Sequence, residues 1–330
     1  MKEKLGTSLM SLNTYKKNLD SDMTKNVYSS ETHGNRITSE NPKDIFRNGS
    51  TTYYYSTKLF PVSIREEVTQ LYNFVRIADD YVDSVPQDTK GFFQFKEEYY
   101  SAVSGKKTEN KVIADFVNLS ERRQFKHEWV DAFLKSMEMD TEKSNYKNLE
   151  ELNTYLYGSA EVIGLMMNRV MGLDERADES AQYLGKAMQF INFIRDIDED
   201  LDLKRTYFPT EDLKAFGLSG LTRGEARRKP EQFNAFVRSQ IRIYFQWQKR
   251  AELGFQFIPK NMRIAVQTAS DMYMWTAKEI YKNPFIVYDL KIKPTWSKVI
   301  LNGLKNMINA YNPLRRSRAS GNVTIENHSI

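Results

Sequence analysis

Tyr72-Asn73-Phe74-Val75-Arg76-Ile77-Ala78-Asp79-Asp80-Tyr81-Val82-Asp83 closes a stretch in which Val68, Leu71, Tyr72, Val75, Ala78 and Val82 recur at three- and four-residue intervals. That spacing predicts an amphipathic helix about twenty residues long. Ser63 and Glu66 stand at capping-box spacing at its start, just behind Pro61. Ser84-Val85-Pro86 predicts its end, because the residue before a proline is pushed out of the helical region. At about 3.6 residues per turn, Asp79 and Asp83 point the same way, and Tyr72 and Arg76 lie on the same stripe.

A second acidic row, Asp196-Ile197-Asp198-Glu199-Asp200, lies in a helical pattern running from about Ser180 to Asp202. The pattern breaks at Lys204-Arg205-Thr206-Tyr207-Phe208-Pro209. Asp196 and Asp200 share a face, Gln189, Asn192 and Glu199 line up with Asp196, and Arg195 stands beside them. Thr210 is placed to cap the next short helix. Further helical patterns run over about 92–104, 124–139, 149–172, 231–253, 261–281 and 296–309. Residues 1–45 are rich in Lys, Asn, Ser, Thr and Asp without a sustained period, the composition of a flexible polar extension. The expectation is one all-α domain over 46–310, followed by a basic and polar tail over 311–330.

Composition supports helices and excludes several chemistries. Of 330 residues 40% are apolar and 28% charged, with 15 glycines and 9 prolines, so obligatory turns are few. The absence of cysteine removes disulfides, thiolate zinc sites and a cysteine nucleophile. His33, His127 and His328 are the only histidines, and the first and last fall in the expected tails, which argues against a histidine metal site or a Ser-His-Asp triad. No apolar run is long enough to span a bilayer, and the N-terminus lacks the apolar core of a secretory signal, so a cytoplasmic protein is expected. The net charge of +5 is local. Lys291, Lys293, Lys298, Lys305, Arg315, Arg316 and Arg318 belong to one segment with no acid between Ile292 and Ser320, and without them 41 bases face 43 acids. No basic stripe crosses the fold, so nucleic acid is not an expected partner.

Like charges four residues apart cost a helix a few tenths of a kcal/mol, about 0.2–0.5 per pair, and more where water is excluded. Arginines or divalent cations could neutralise such rows. Carboxylates and amide oxygens without histidine or thiolate favour hard ions, Mg2+ above all. Magnesium held by few protein oxygens keeps sites for phosphate, so two facing rows would form a cage for a diphosphate. The plainer reading is that both rows are solvated faces carrying ordinary ion pairs. Spacing alone leaves the two open.

The two acidic segments resemble those of the squalene and phytoene synthases, head-to-head prenyltransferases of the all-α isoprenoid synthase fold. Tyr72 to Asp83 is similar to the family's first aspartate-rich segment. Asn192 to Asp200, followed by Arg205 to Pro209, is similar to the second. Tyr155-Leu156-Tyr157-Gly158-Ser159-Ala160-Glu161-Val162-Ile163-Gly164 resembles the family's central cavity helix. The resemblance runs over about 48–298 and keeps the order of the three segments. It implies a single large helical bundle around a central cavity. Asp79 and Asp83 would face Asp196 and Asp200 and, with Asn192, hold a cluster of roughly two or three Mg2+ ions, Mn2+ being an alternative. Arg76 and Arg195 would bind diphosphate with help from Arg205 and Tyr207. Tyr53, Tyr72, Tyr155 and Tyr273 match positions that line the site, Gln189 a polar cavity position, and Ser50 and Thr52 the substrate flap. Ala160, Gly164 and the Met166-Met167 surface would admit long prenyl tails. Tyr155 and the four aspartates are the expected catalytic residues. Many relatives carry glycine at the place of Glu161, so this carboxylate must turn away from the tunnel or pair with a base.

The resemblance further implies that two geranylgeranyl diphosphates condense through a cyclopropyl diphosphate to phytoene, the Asp-Asp-x-x-Asp form of the first segment favouring that product. The alternative within the family is dehydrosqualene or squalene from farnesyl diphosphate, with NADPH needed only for squalene. Outside catalysis, the alternative is a helical scaffold that has lost activity, which the intact acidic pairs disfavour. Class I terpene cyclases fit less well, because their second metal motif is spaced differently. Trp296, Val299, Ile300, Leu304, Met307 and Ile308 share one side of the last helical pattern. With its lysines this segment suits either packing on the domain or peripheral contact with an anionic membrane.

Overall fold

Ser50 accepts a hydrogen bond from Tyr53 N at 3.3 Å and so caps the first helix, α1 (Thr51–Thr57). α2 (Val62–Asp83), α3 (Thr89–Val103), α4 (Lys111–Arg123) and α5 (His127–Glu142) follow. α6 (Leu149–Leu156) passes through a π-helical turn, Tyr157–Glu161, into α7 (Val162–Val170). α8 (Asp178–Arg195), α9 (Ile197–Asp202), α10 (Thr210–Ala215), α11 (Arg223–Arg228), α12 (Pro230–Glu252), α13 (Lys260–Lys282) and α14 (Trp296–Tyr311) complete the order. This computed structural model describes Phe46 and residues 50–311, all within one unit, 37–330. The extension expected over 1–45 and the tail beyond Tyr311 lie outside the described residues. Among the described residues no strand forms, and Asn145 and Thr206 meet in an isolated bridge.

Two apolar clusters build the interior. In the first, α2 to α5 and α7 converge, with the Phe74 and Phe116 rings stacked at 3.8 Å. In the second, Phe190 and Phe193 of α8 pack with Phe233, Phe236 and Tyr244 of α12 and with α13. Leu184 of α8 touches both clusters, and α8 packs against α7, α12 and α13. Glycine lets α7 and α8 come within backbone contact. A Cβ built on Gly164 would stand 2.2 Å from Ala181 O, and one on Gly185 2.2 Å from Ala160 O. Gly164 therefore faces α8, and Ala160 shares that crossing, which accounts for both small residues by packing.

Several expectations need correction. The Ser63 capping box does not form: α2 begins at Val62 behind Pro61, which has no side-chain cap bond. Likewise Pro209, not Thr210, precedes α10. Helix α4 was not anticipated, although Asn110 accepts from Val112 N and Ile113 N at its start, and Val112, Ile113, Phe116 and Leu119 form its buried face. The expected helix over Ser180 to Asp202 breaks at Asp196, whose φ of −100° and ψ of 18° leave the helical region. Its register survives, since Asp196 N bonds Asn192 O and Asp200 N bonds Asp196 O, both at 2.8 Å.

Candidate functional site: two acidic rows joined by arginines

α2 delivers the first row. Asp79 and Asp83 lie on its partly open side, while Phe74, Ile77, Ala78 and Val82 bury the other. The α8–α9 junction delivers the second, with Asn192, Asp196 and Asp200 one turn apart. Helix α9 then ends through Lys204, whose φ of 59° is left-handed, and Arg205 N returns to Asp200 O at 2.8 Å. That reversal turns Arg205 inward. Its guanidinium reaches Asp83 Oδ1 at 2.7 Å and also donates to Val82 O. A bridge across 122 positions of sequence thus ties the end of the first row to the end of the second.

Each row is neutralised by its own arginine. Arg76 donates to Asp79 at 2.9 Å and pairs with Asp80. Arg195 grips Asp196 through two bonds at 2.8 and 2.5 Å. Lys291, from the segment before α14, pairs with Glu199 and stands 3.5 Å from Asp196. With the carboxylates held this way, no group of His, Cys, Asp or Glu among the described residues is gathered tightly enough to hold a metal ion. Of the four aspartates that the resemblance sets around ions, Asp79, Asp83 and Asp196 pair here with Arg76, Arg205 and Arg195. The donor set nevertheless fits a hard cation. All its atoms are oxygens, and Asn192 Oδ1 is buried without a hydrogen-bond partner.

Electrostatics marks the same place. Burial and the neighbouring Asp83 hold the Asp79 carboxyl well above the usual range, against the pull of Arg76, although a third of that side chain opens to the cleft. Burial, Asp196 and Asp83 do the same to Asp200. Burial would raise Asp196 too, but the Arg195 hydrogen bonds and charge, joined by Lys291 and Lys293, bring it below the ordinary value. A cation arriving between Asp79, Asp83 and Asp200 would relieve their mutual repulsion.

Tyrosines surround the rows. Tyr155 donates to Asp140 Oδ2 at 2.7 Å and Tyr207 to Asp140 Oδ1 at 3.0 Å. The Tyr207 ring stacks on Phe193 at 4.1 Å. On the other side Tyr53 of α1 lies 6.3 Å from Tyr72 and 5.7 Å from Tyr273, and its hydroxyl reaches Met188 Sδ at 3.3 Å. Thr52 is buried beside it, and Phe46 packs on Tyr72 at 4.2 Å. Gln189 Oε1 accepts from Asn192 at 3.3 Å. Thus Ser50 and Gly164 act locally, as cap and helix contact, whereas the tyrosines, Gln189, Asn192, the arginines and the aspartates surround one place. Glu161 turns to Lys186 at 2.9 Å, the base its position called for. It shares a groove of about 610 Å3 with Leu149, Tyr157 and Lys186, apart from the acidic rows.

Asp140 and Lys291 were missed as site residues in the sequence. Asp140 had a signal: it falls on the apolar stripe of α5 made by Trp129, Phe133 and Met137, where a carboxylate needs partners. Lys291 had none, because its acidic partners lie almost a hundred positions earlier, 92 in the case of Glu199.

The all-α bundle thus brings two aspartate rows to one tyrosine-lined cleft and joins them through Arg205. The sequence pattern describing squalene/phytoene synthase matches residues 46–299. A phytoene synthase of Arthrospira platensis is 28% identical over 269 residues, covering 76% of this chain and 86% of that one. A 15-cis-phytoene synthase of Synechocystis sp. is 27% identical, covering 76% and 78%. Among solved structures, a dehydrosqualene synthase with bound ligand superposes with a TM-score of 0.72 at 21% identity, over 80% of this chain and 93% of that one. The chain belongs to the squalene/phytoene synthase family, whose members are prenyltransferases.

Proposed function

We propose that this enzyme condenses two geranylgeranyl diphosphates head to head, through a cyclopropyl diphosphate, to phytoene. The observation that carries the reading is the bridge from Asp83 through Arg205 to the end of the second row, which brings both acidic motifs to one cleft in a chain of this family. The relatives named phytoene synthase support the choice of substrate and product. Asp79, Asp83, Asn192, Asp196 and Asp200 would hold divalent ions, Mg2+ by their oxygen chemistry, once Arg76, Arg195 and Arg205 are free to turn to diphosphate. Bound there, the metal supplies Lewis acidity toward the leaving diphosphate.

The chain's own residues do the remainder. Arg76, Arg195 and Arg205 offer fixed positive charge where the diphosphate gathers negative charge as it leaves. Lys291 and Lys293 add to it from the segment before α14. Tyr53, Tyr72, Tyr155 and Tyr273 present ring faces that favour an allylic cation by about 0.5–2 kcal/mol each. Tyr53 of α1, packed beside Tyr72 and Tyr273, helps keep water from the cation. The alternative within the family is dehydrosqualene or squalene from farnesyl diphosphate, favoured by the superposition on a dehydrosqualene synthase, and NADPH enters only for squalene. The protein works as a peripheral enzyme at a membrane through its basic C-terminal segment; no helix among the described residues is long and apolar enough to cross one.

Purified protein given each prenyl diphosphate with Mg2+, with and without NADPH, should yield a C40 hydrocarbon from the longer substrate without reductant. A C30 hydrocarbon as the sole product would refute the choice. Asp79→Ala and Asp196→Ala should each lower pyrophosphate release by about 100-fold or more. Unchanged release would break the assigned roles.

A further inference from the structure

Helix α14 is apolar on two sides. Its inner side is anchored: Val299, Gly303 and Asn306 are buried. A Cβ on Gly303 would meet Leu59 Cδ1 at 2.8 Å, and Asn306 donates to Asp271 at 2.8 Å. The sequence placed Val299 together with Leu304 and Ile308, but the fold separates them. Leu301 and Ile308 are each 67% exposed, Tyr311 61% and Leu304 40%. At about 100° per residue these four fall within one arc, nearly opposite the buried one. A packed terminal helix has no need of a second apolar side, and nothing among the described residues covers this one.

Its charge identifies the occupant. No acid occurs from Leu290 to Ile325, while Lys298 and Lys305 stand on α14 and Arg315, Arg316 and Arg318 follow in sequence. Lys298 is held over the Trp275 ring at 3.5 Å, so its position is fixed, whereas Lys305 is exposed. An apolar arc bordered by lysines, on a helix whose other side is fixed to the body, matches an anionic lipid surface: greasy side chains enter the acyl boundary and lysines meet the headgroups. We propose that the outward arc of α14, made by Leu301, Leu304, Ile308 and Tyr311, docks the enzyme on anionic membrane. This deepens the peripheral reading above by naming the face and its lipid class. It rests on the enzyme reading only for its use, since both the substrates and the hydrocarbon would partition into that lipid.

The test is cosedimentation of the full chain with phosphatidylcholine vesicles and with vesicles that also contain phosphatidylglycerol, across a range of salt. Binding to the anionic vesicles alone, weakening as salt rises, is the expected result. Lys305→Glu should weaken it more than about five-fold, since one basic charge is lost and an acidic one gained at the surface. The double change Leu301→Ser with Ile308→Ser should weaken it more than about ten-fold. These side chains touch neither the acidic rows nor the core, so thermal midpoints and hydrocarbon formation in detergent should match the parent. Detergent activity therefore reports on the enzyme reading separately from vesicle binding. Failure of the parent to sediment with anionic vesicles, or sedimentation unaffected by both variants, would overturn the proposal. So would a concentration-dependent dimer that Leu301→Ser with Ile308→Ser dissolves, which would assign the arc to a second copy of the chain.

Discussion

Asp140 shows how much one carboxylate can organise. It accepts from Tyr155 at 2.7 Å and Tyr207 at 3.0 Å, and it lies near Arg205, whose charge also serves Asp83. Asparagine there keeps the volume but offers a single acceptor oxygen, so one tyrosine loses its partner and Arg205 a counter-charge. Asp140→Asn should lower kcat about ten-fold or more with KM nearly unchanged, because substrate contacts stay while the groups facing the developing charge shift. A rise in KM alone would place Asp140 in substrate binding instead. The pH profile of stability should change as well. Burial lifts this carboxyl to about 6, against Arg205 and the Tyr155 hydrogen bond. Between about pH 4, where the unfolded carboxyl titrates, and the folded value, the folded chain keeps a proton that the unfolded chain has released. The contribution of this group to stability is therefore greatest at the acidic end and declines as pH rises to about 6. Thermal midpoints of parent and Asp140→Asn across that window should diverge in slope, and parallel curves would refute the assignment.

Between elements, the gap between α7 and α8 leaves no room for a side chain. Gly164→Ala would place a methyl 2.2 Å from Ala181 O, and neither backbone can yield without moving its helix. The expected loss is about 1–3 kcal/mol, read by urea denaturation. Gly224→Ala is the control: its nearest neighbour is Arg228 Nη1 at 3.7 Å, and its effect should stay within about 0.5–1 kcal/mol of neutral or stabilise slightly. This contact also explains what could be read beforehand. The apolar periods of α2, α8, α12 and α13 were legible because each buries one continuous stripe. The break at Asp196 was not, since both rows of hydrogen bonds continue through it, and the role of Gly164 was not, since a glycine on a helix does not say which neighbour presses on it. Glu161 was legible as a residue needing a base, but Lys186 lies on another helix.

Across the whole molecule, the acidic cleft stands where the two apolar clusters adjoin, α2 bringing one row and the α8–α9 junction the other. Local spacing gave each row separately, and only the resemblance, through the order of three segments, set them opposite each other. The arginine pairing was left open by the sequence between cations and arginines, and it is geometry that assigns Arg76, Arg195 and Arg205 to the carboxylates. Because those pairs are internal, a ligand must offer more than it displaces. Mg2+ together with inorganic pyrophosphate should therefore raise the thermal midpoint further than either alone, the pair amounting to about 2.7 kcal/mol when free ligand is a hundred times its Kd. Asp200→Asn should shrink that rise, and an equal rise in parent and variant would place the ligand elsewhere.

The π turn at Tyr157–Glu161 carries a last implication. It inserts a surplus residue into an otherwise continuous rod, with Tyr155 before it and Gly164 after it. Deleting one of its residues would leave a regular spiral with both halves still in register, whereas winding all of them as regular α-helix would swivel the downstream half by about 100° relative to the upstream half. Tyr155 could then meet Asp140, or Gly164 could meet α8, but the two engagements could no longer coexist. The bulge works as a keyway, fixing the angle at which two ends of one shaft are locked to different partners.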